Sequence, residues 1–264
     1  MKFRHTPTLS SQRRRVLQTA GAGMLTLFTP VWVQAATWRK VEPVLKSVGD
    51  ASVSENGLEL ILPLVAEDGS SVPLTVKGAA QIKKLEIFAP GNPTPEVAVF
   101  EFGPEIPTLN LATRIRLSDS QTVVAVAHGV DGSVYVAERA VRVTTSGCVA
   151  PARSDPASEM QGRIRLPKSL KAGEAAEVVT MISHPMITGL QPDASGEKPA
   201  PRIIERFEAS LDDRPVVRAT FFRSLAANPY LKFDIAPQQG GEMRFQWLED
   251  TGRKTELTQA VNLA

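Results

Sequence analysis

The chain has 264 residues, 42% of them hydrophobic, with 30 Lys and Arg against 28 Asp and Glu for a net charge of +2. That length exceeds one ordinary domain and suits two. A single cysteine excludes an internal disulfide framework, and with no basic stripe interleaved with aromatics no nucleic acid is expected as a partner.

Residues 1–35 read as an export signal to be removed. Arg13, Arg14 and Arg15 precede an apolar stretch, Ala20 to Val33, that Gly21, Gly23, Thr26, Thr29 and Pro30 dilute. A span needs about 20 consecutive apolar residues, so none is expected in the mature form. Small residues at Ala35 and Ala36 suit cleavage. The segment resembles a twin-arginine signal, which implies a periplasmic protein; an uncleaved N-terminal anchor is the competing reading. Removing its five basic residues leaves 25 basic against 28 acidic residues, a net of −3.

The next hundred residues show period-two alternation broken by turn signals. "GLELILPL" puts Leu58, Leu60, Leu62 and Leu64 on one face, and Asp68-Gly69 marks a turn before "VPLTV". "KKLEIFA", "EVAVFEF", "TRIRLSD", "TVVAVAHG" and "VYVAERAVRVTT" continue, with a turn at Asp131-Gly132. In "TRIRL", Ile115 and Leu117 are expected inward, and Arg114 and Arg116 outward. Strands this short with turns every 8–12 residues predict an antiparallel sandwich.

The stretch Thr144–Glu159 then loses the pattern. It carries Cys148 after Ser146 and Gly147, with Pro151 and Pro156 beyond and only Val149 as a sizeable apolar neighbour. A core cysteine would need apolar company, so an exposed thiol on a segment without fixed packing is the better reading. In an exported protein an unpaired cysteine points to a reactive thiol or an intermolecular bond.

Strands resume after residue 160. "GRIRLPKSLKAGEAAEVVTMIS" holds two strands about a Pro/Gly turn, and "RFEASLDDRPVVRATFF" a hairpin bending at Asp212-Asp213-Arg214. "ITGLQPDASGEKPAPR" reads as a long loop. "YLKFDIAP" turns Leu231, Phe233 and Ile235 to one face, and the final hairpin turns near Thr251-Gly252. No segment after the signal shows a helical stripe. The expected fold class is all-β, with antiparallel sandwich domains at 36–147 and 160–264 joined by a flexible cysteine-bearing linker, 148–159.

Several stretches carry a family resemblance. "RIRLPKSLKAGE", "MISHPMITGL", "PRIIERFEASLDDRPV", "LAANPYLKFDIAP" and "GEMRFQWLEDTG" make the second half similar to SoxZ. "KKLEIFAPGNPTPEVAVFEFGP" and "TRIRLSDSQTVVAVAHGVDGSVYVAERAVRVTTSGC" make the first half similar to SoxY. The chain thus resembles a natural fusion of the two subunits of the SoxYZ sulfur carrier, including its quinoprotein dehydrogenase-associated branch.

The resemblance implies immunoglobulin-like sandwiches that pair with each other within the chain. It also implies a carrier without its own catalytic site, in which Cys148 holds a thiosulfate-derived group. Periplasmic sulfur-oxidation enzymes, haem-containing and hydrolase components, would load and trim that group. SoxY arms end in Gly-Gly-Cys-Gly-Gly; here Gly147 precedes the thiol, but Ser146, Val149 and Ala150 replace the other glycines and the chain runs on. The alternatives are an accessory of a quinoprotein dehydrogenase, or an interaction module whose cysteine forms a disulfide-linked dimer.

Other chemistry finds little support. His128 and His184 fall in different halves and no histidine follows Cys148 closely, which excludes a blue-copper site; no metal and no cofactor is expected. "SHPM" at 183–186, "NPTP" at 92–95 and "NPY" at 228–230 read as structural turns. Arg142 and Arg153 are the nearest cations to the thiol and neither is adjacent, so partners would have to activate it.

Overall fold

The computed structural model describes residues 36–78, 81–147, 159–190, 192 and 196–264. After a 3-10 turn, Thr37–Lys40, and a helix α1, Glu42–Val48, every element among the described residues is a strand. The first half contributes β1 (Val53–Ser54), β2 (Leu58–Ile61), β3 (Val65–Asp68), β4 (Val72–Gly78), β5 (Ile82–Phe88), β6 (Glu96–Phe102), β7 (Leu109–Ile115), β8 (Gln121–Gly129) and β9 (Val134–Thr145). The second contributes β10 (Gly162–Arg165), β11 (Ser169–Leu170), β12 (Ala176–Ile182), β13 (Ile204–Leu211), β14 (Arg214–Phe221), β15 (Tyr230–Ile235), β16 (Gly241–Glu249) and β17 (Lys254–Leu263). No described helix is long and apolar enough to cross a membrane.

Two mostly antiparallel sheets face each other as an immunoglobulin-like sandwich, and both halves build both sheets. One runs β1-β9-β8-β5-β6-β14-β13-β16-β17-β11, with β3 also beside β9; the other runs β10-β12-β15-β7-β4-β2. The halves therefore meet edge to edge. In the large sheet β6 pairs with β14 from Ala98↔Phe221 to Phe102↔Val217. In the small sheet β15 meets β7 at Leu231↔Thr113 and Lys232↔Ala112. Each half covers the edge strand its partner would otherwise leave open. A single core runs beneath the seam, with Phe100 and Phe221 edge to face at 6.1 Å.

Local chemistry accounts for the turns. Asp212 and Asp213 both take positive φ, 46° and 64°, the backbone that a two-residue hairpin between right-twisted strands demands. Leu231, Phe233 and Ile235 are buried, as are Leu58, Leu60 and Leu62.

Four expectations are corrected. Leu64 is 67% exposed: β2 ends at Ile61, and Pro63 lies where the chain leaves the small sheet for β3, so the alternation stops there. A helix is present. Pro43 opens α1, Gly49 closes it at φ 59°, and Val44 and Val48 lie with Trp38 on Val124, Val126, Val134 and Val136. That cover explains why β8 reads as an unbroken apolar run, being buried on both faces. Thr144 and Thr145 belong to β9, with Thr145 level with Asp68 of β3, so regular structure reaches further towards the thiol than the composition suggests. Arg116 does not point to solvent; it is 6% exposed.

Candidate functional site: the two roots of the cysteine segment

Cys148 and Arg13, Arg14 and Arg15 lie outside the described residues; Ser146, Gly147 and Glu159 lie within them. The described structure therefore presents the two places from which residues 148–158 depart.

The near root is a crossing of two glycines. The Gly147 N–H donates to the Leu117 carbonyl, Leu117 N–H to the Gly69 carbonyl and Gly69 N–H to the Thr145 carbonyl, each at 2.8 Å. A Cβ on Gly147 would fall 1.8 Å from the Gly69 oxygen, and one on Gly69 would fall 2.3 Å from the Leu117 oxygen. Both positions require glycine because two backbones touch there. Gly147 is buried and anchored, with Ser146 half-buried before it. The Asp68 carboxylate closes the adjoining turn by accepting the N–H and hydroxyl of Ser70, both at 2.8 Å. Those bonds, the backbone one first, hold its carboxyl below the usual range.

The far root is Glu159-Met160. Met160 takes φ 62°, its N–H donates to the Ser183 carbonyl at 2.8 Å, and its own carbonyl accepts the Thr255 hydroxyl at 2.8 Å. The Glu159 carboxylate receives both terminal nitrogens of Arg202, each at 2.9 Å, a fork-to-fork pair. Arg253 stands 3.7 Å from Glu159 and 3.7 Å from Glu249. Glu249, 1% exposed, accepts the Thr251 hydroxyl and lies 2.8 Å from Nε2 of His184, which is fully buried.

The tautomer of His184 follows from its partners. The Met186 N–H donates to Nδ1 at 3.0 Å, so the proton sits on Nε2 and donates to Glu249. Burial pushes the imidazole below its ordinary pKa, against the pull of Glu249. Burial alone would raise the Glu249 carboxyl, but bonds from Thr251 and His184 hold it below the usual range. Asn228, at φ 51°, knits the joint: its Oδ1 accepts the His184 N–H at 2.9 Å and its N–H donates to the His184 carbonyl at 2.8 Å. "SHPM" and "NPY" thus interlock as one structural joint.

Arg116 ties this joint to the near root. Its guanidinium donates to the carbonyls of Met186 at 2.9 Å and Pro185 at 3.1 Å, and its own N–H to the Ser224 carbonyl at 2.8 Å. Asn92 of "NPTP" completes the seam, donating from Nδ2 to the Arg116 carbonyl at 2.7 Å and to the Ser224 hydroxyl at 3.0 Å. Nothing local marks Arg116 in the sequence. It alternates with Arg114 like any solvent-facing pair, and only the arrival of the second half covers it.

Other groupings are structural. Ser47, His128 and Lys84 all converge on one oxygen of Glu86, with His128 Nε2 at 3.1 Å and Lys84 at 3.1 Å. One imidazole nitrogen faces both Ser47 and the carboxylate, so no base is aimed at the hydroxyl as a nucleophilic triad requires. The cluster clasps α1 to the sheet. Burial opposes the charge on Glu86, but those bonds hold its carboxyl down to about 2. A groove of about 420 Å³ crosses the seam on the large sheet, and Arg218 and Glu208 on its floor pair at 3.0 Å. Among the described residues, no cluster of three or more His, Cys, Asp or Glu could hold a metal ion.

Comparison with known proteins completes the description. Residues 45–148 match the family model described as sulfur oxidation protein SoxY, and residues 164–260 the one described as sulphur oxidation protein SoxZ. The first match ends on Cys148. No curated protein matches the chain. Among solved structures, the sulfur carrier protein SoxY from Chlorobium limicola f thiosulfatophilum is 29% identical, over 39% of this chain and 93% of that one, with a TM-score of 0.35. A superoxide reductase (neelaredoxin) from Ignicoccus hospitalis is 17% identical, over 41% of this chain and 83% of that one, with a TM-score of 0.31.

Proposed function

The chain belongs to the sulfur-oxidation carriers as a natural fusion of a SoxY domain with a SoxZ domain, and from that premise we propose that Cys148 covalently holds a thiosulfate-derived sulfur group. The observation that carries the reading is the place of the thiol. It is the last residue of the SoxY match and is bonded to a glycine fixed in the fold.

Loading joins the Cys148 sulfur to the outer sulfur of thiosulfate. The thiol loses its proton and two electrons leave the pair, giving a cysteine S-thiosulfonate. A haem-containing partner accepts those electrons, and a hydrolase then adds water across the terminal S–S bond. That releases sulfate and a proton and leaves a persulfide on the cysteine. This chain supplies the nucleophile and its placement; the partners supply the redox and hydrolytic groups.

Gly147 is anchored to the Leu117 carbonyl, and adjacent Cα atoms lie about 3.8 Å apart, so a partner that reaches the next residue would dock against the sandwich around Gly69 and Leu117. The charge pattern of residues 1–35 supports export by the twin-arginine route, which would put the carrier in the periplasm with its partners.

Intact mass spectrometry of the protein from its native compartment tests the reading. A sulfur adduct that Cys148→Ser abolishes, with the fold kept, supports it. A dimer mass abolished by reductant would instead make Cys148 a disulfide link. The replaced glycines around the thiol favour a second reading, an accessory of a quinoprotein dehydrogenase; a bare thiol together with stoichiometric binding to such an enzyme would establish it.

A further inference from the structure

We propose that the outer face of the small sheet is the docking surface for the haem-containing partner, which meets the row Arg163, Met181, Tyr230 and Arg114 with carboxylates set around an apolar centre. The proposal rests on the carrier reading of Cys148 and names the surface on which its loading partner sits.

Strand alternation sorts the side chains of this sheet. Val178, Ile182, Leu231, Phe233, Leu111 and Ile115 point into the core, so their sequence neighbours point out. The register then aligns the outward residues across the strands. Arg163 stands opposite Met181, and Met181 opposite Tyr230. Arg114, from the first half, holds its guanidinium 5.1 Å from the centre of the Tyr230 ring. In the next row Arg165, Val179, Lys232 and Ala112 follow one another. Met181, Tyr230, Val179 and Ala112 are half-buried between these cations. Neither half builds the face alone.

Charge is segregated on it. The two rows hold Arg163, Arg114, Arg165 and Lys232 and no carboxylate; Glu177, Asp234 and Glu59 stand in the row beyond, with Lys77. Glu177 reaches back to Arg165 at 2.7 Å and to Lys232 at 3.1 Å. Arg163 and Arg114 are exposed and form no ion pair among the described residues. Two guanidiniums therefore flank an aromatic and thioether centre, the composition that carries most of the binding energy at protein surfaces. The chain beyond residue 35 nets −3, so this positive end is a local feature that steers an acidic face towards it. A second copy is a poorer fit, because Glu177 is held by its own cations and Asp234 accepts from Asn110 at 2.7 Å.

Position and size select the partner. Arg114 is three residues before Leu117, whose carbonyl holds Gly147, and Met181 is two before Ser183, whose carbonyl holds Met160. At about 3.3 Å per residue, the row lies roughly 10 Å from the near root. Six strands about 4.8 Å apart and three rows about 6.7 Å apart make a face on the order of 600 Å². That size belongs with transient redox encounters, which bury less than about 1,200 Å² in all. Loading sends two electrons to the haem-containing partner, which makes it the redox partner of this carrier.

The test is calorimetric binding of the unloaded full chain to the purified haem-containing enzyme of the same periplasm, at about 0.05 M and about 0.3 M salt. Arg163→Glu and Arg114→Glu should each weaken binding at least about tenfold at the lower salt, and the higher salt should weaken the wild type. Lys77→Glu, the same charge reversal in the far row, should stay within about twofold. A mere change of net charge would weaken all three alike. Arg163→Ala, which introduces no charge, keeps the test if a reversal unfolds the chain, and should cost about threefold.

Folded Arg163→Glu and Arg114→Glu chains that bind like the wild type would overturn the proposal, as would a haem-containing enzyme that ignores the wild type at micromolar concentration. A dimer in sedimentation that Arg163→Glu dissolves would give the face to a second copy and overturn it too. No readout uses a sulfur adduct, so the two readings fail separately. A chain that binds through this face yet carries no adduct in its native compartment sinks the carrier reading alone; a loaded chain that binds through another face sinks the docking surface alone.

Discussion

Gly147 and Gly69 are in backbone contact, with a Cβ on the first falling 1.8 Å from the oxygen of the second and a Cβ on the second falling 2.7 Å from the nitrogen of the first. Neither neighbour is a flexible side chain that could move aside. Gly147→Ala and Gly69→Ala should each cost at least about 2 kcal/mol, the range in which overpacked sites fall. Urea unfolding measures the cost. Alanine variants within about 0.5 kcal/mol of the parent would show that this crossing yields easily and that the near root is not fixed.

The seam should hold without the linker. β6–β14 and β7–β15 join the halves through backbone ladders over a shared core, so cutting the chain after Arg153 should leave both fragments in one complex. Gel filtration at micromolar concentration is the check, and two separate peaks would contradict the shared sheets.

Removing the seam arginine should be severe. Arg116→Met strips charge-assisted donors from the buried carbonyls of Pro185 and Met186. Donors of this kind are worth about 1.5–3 kcal/mol in total effect, and a buried carbonyl left bare adds to the loss. Thermal unfolding of the variant should show a clear drop in Tm, while Arg114→Met on the exposed side of β7 should change it little. Equal effects at the two positions would refute the assignment.

Acid should weaken the fold in two stages. His184 has a lowered pKa when folded, so its share of stability is complete above 6.5 and is lost as pH falls from there through the folded value. The carboxyls of Glu249 and Glu86 are also lowered, so their shares are complete above 4.5 and are lost below it, for Glu86 down to about 2. The Glu86 share is up to about 3 kcal/mol near pH 7. Denaturant midpoints between pH 7 and 3 should show both stages, and His184→Gln should flatten the first while leaving the second.

Export should depend on the arginines rather than on charge alone. Arg13→Lys with Arg14→Lys, or all three including Arg15→Lys, should leave precursor inside the cell, because lysine keeps the charge but alters the signal the export machinery reads. Normal export of the triple variant, followed by fractionation, would rule out the twin-arginine route.

Much of this molecule is legible in the sequence because the information is local. Period-two alternation in "YLKFDIAP" and "EVAVFEF" requires one face in and one out, and Asp212-Asp213 and Thr251-Gly252 announce their turns by backbone chemistry alone. The lone cysteine beside a glycine, in a stretch poor in apolar side chains, stands out for the same reason. The helix α1 escapes a periodicity search because it is seven residues long and buries only Val44 and Val48.

What the tertiary structure decided is which strand faces become interior and which contacts close at a distance. Arg116 looks like Arg114 until Pro185 and Met186, about seventy residues on, fold over it. Gly147 looks like a hinge until Gly69, in the turn after β3 and far earlier in the chain, comes within touching distance of its backbone. His184 and Glu249 lie 65 positions apart and become one buried pair only when the Ile187↔Arg202 bridge and the β13–β16 pairing, with Ile204 opposite Glu249, bring their segments together. Alternation tells each residue which way it points relative to its own strand. Whether solvent or protein waits there depends on segments elsewhere in the chain, and that is settled only when the two halves join along their shared edges.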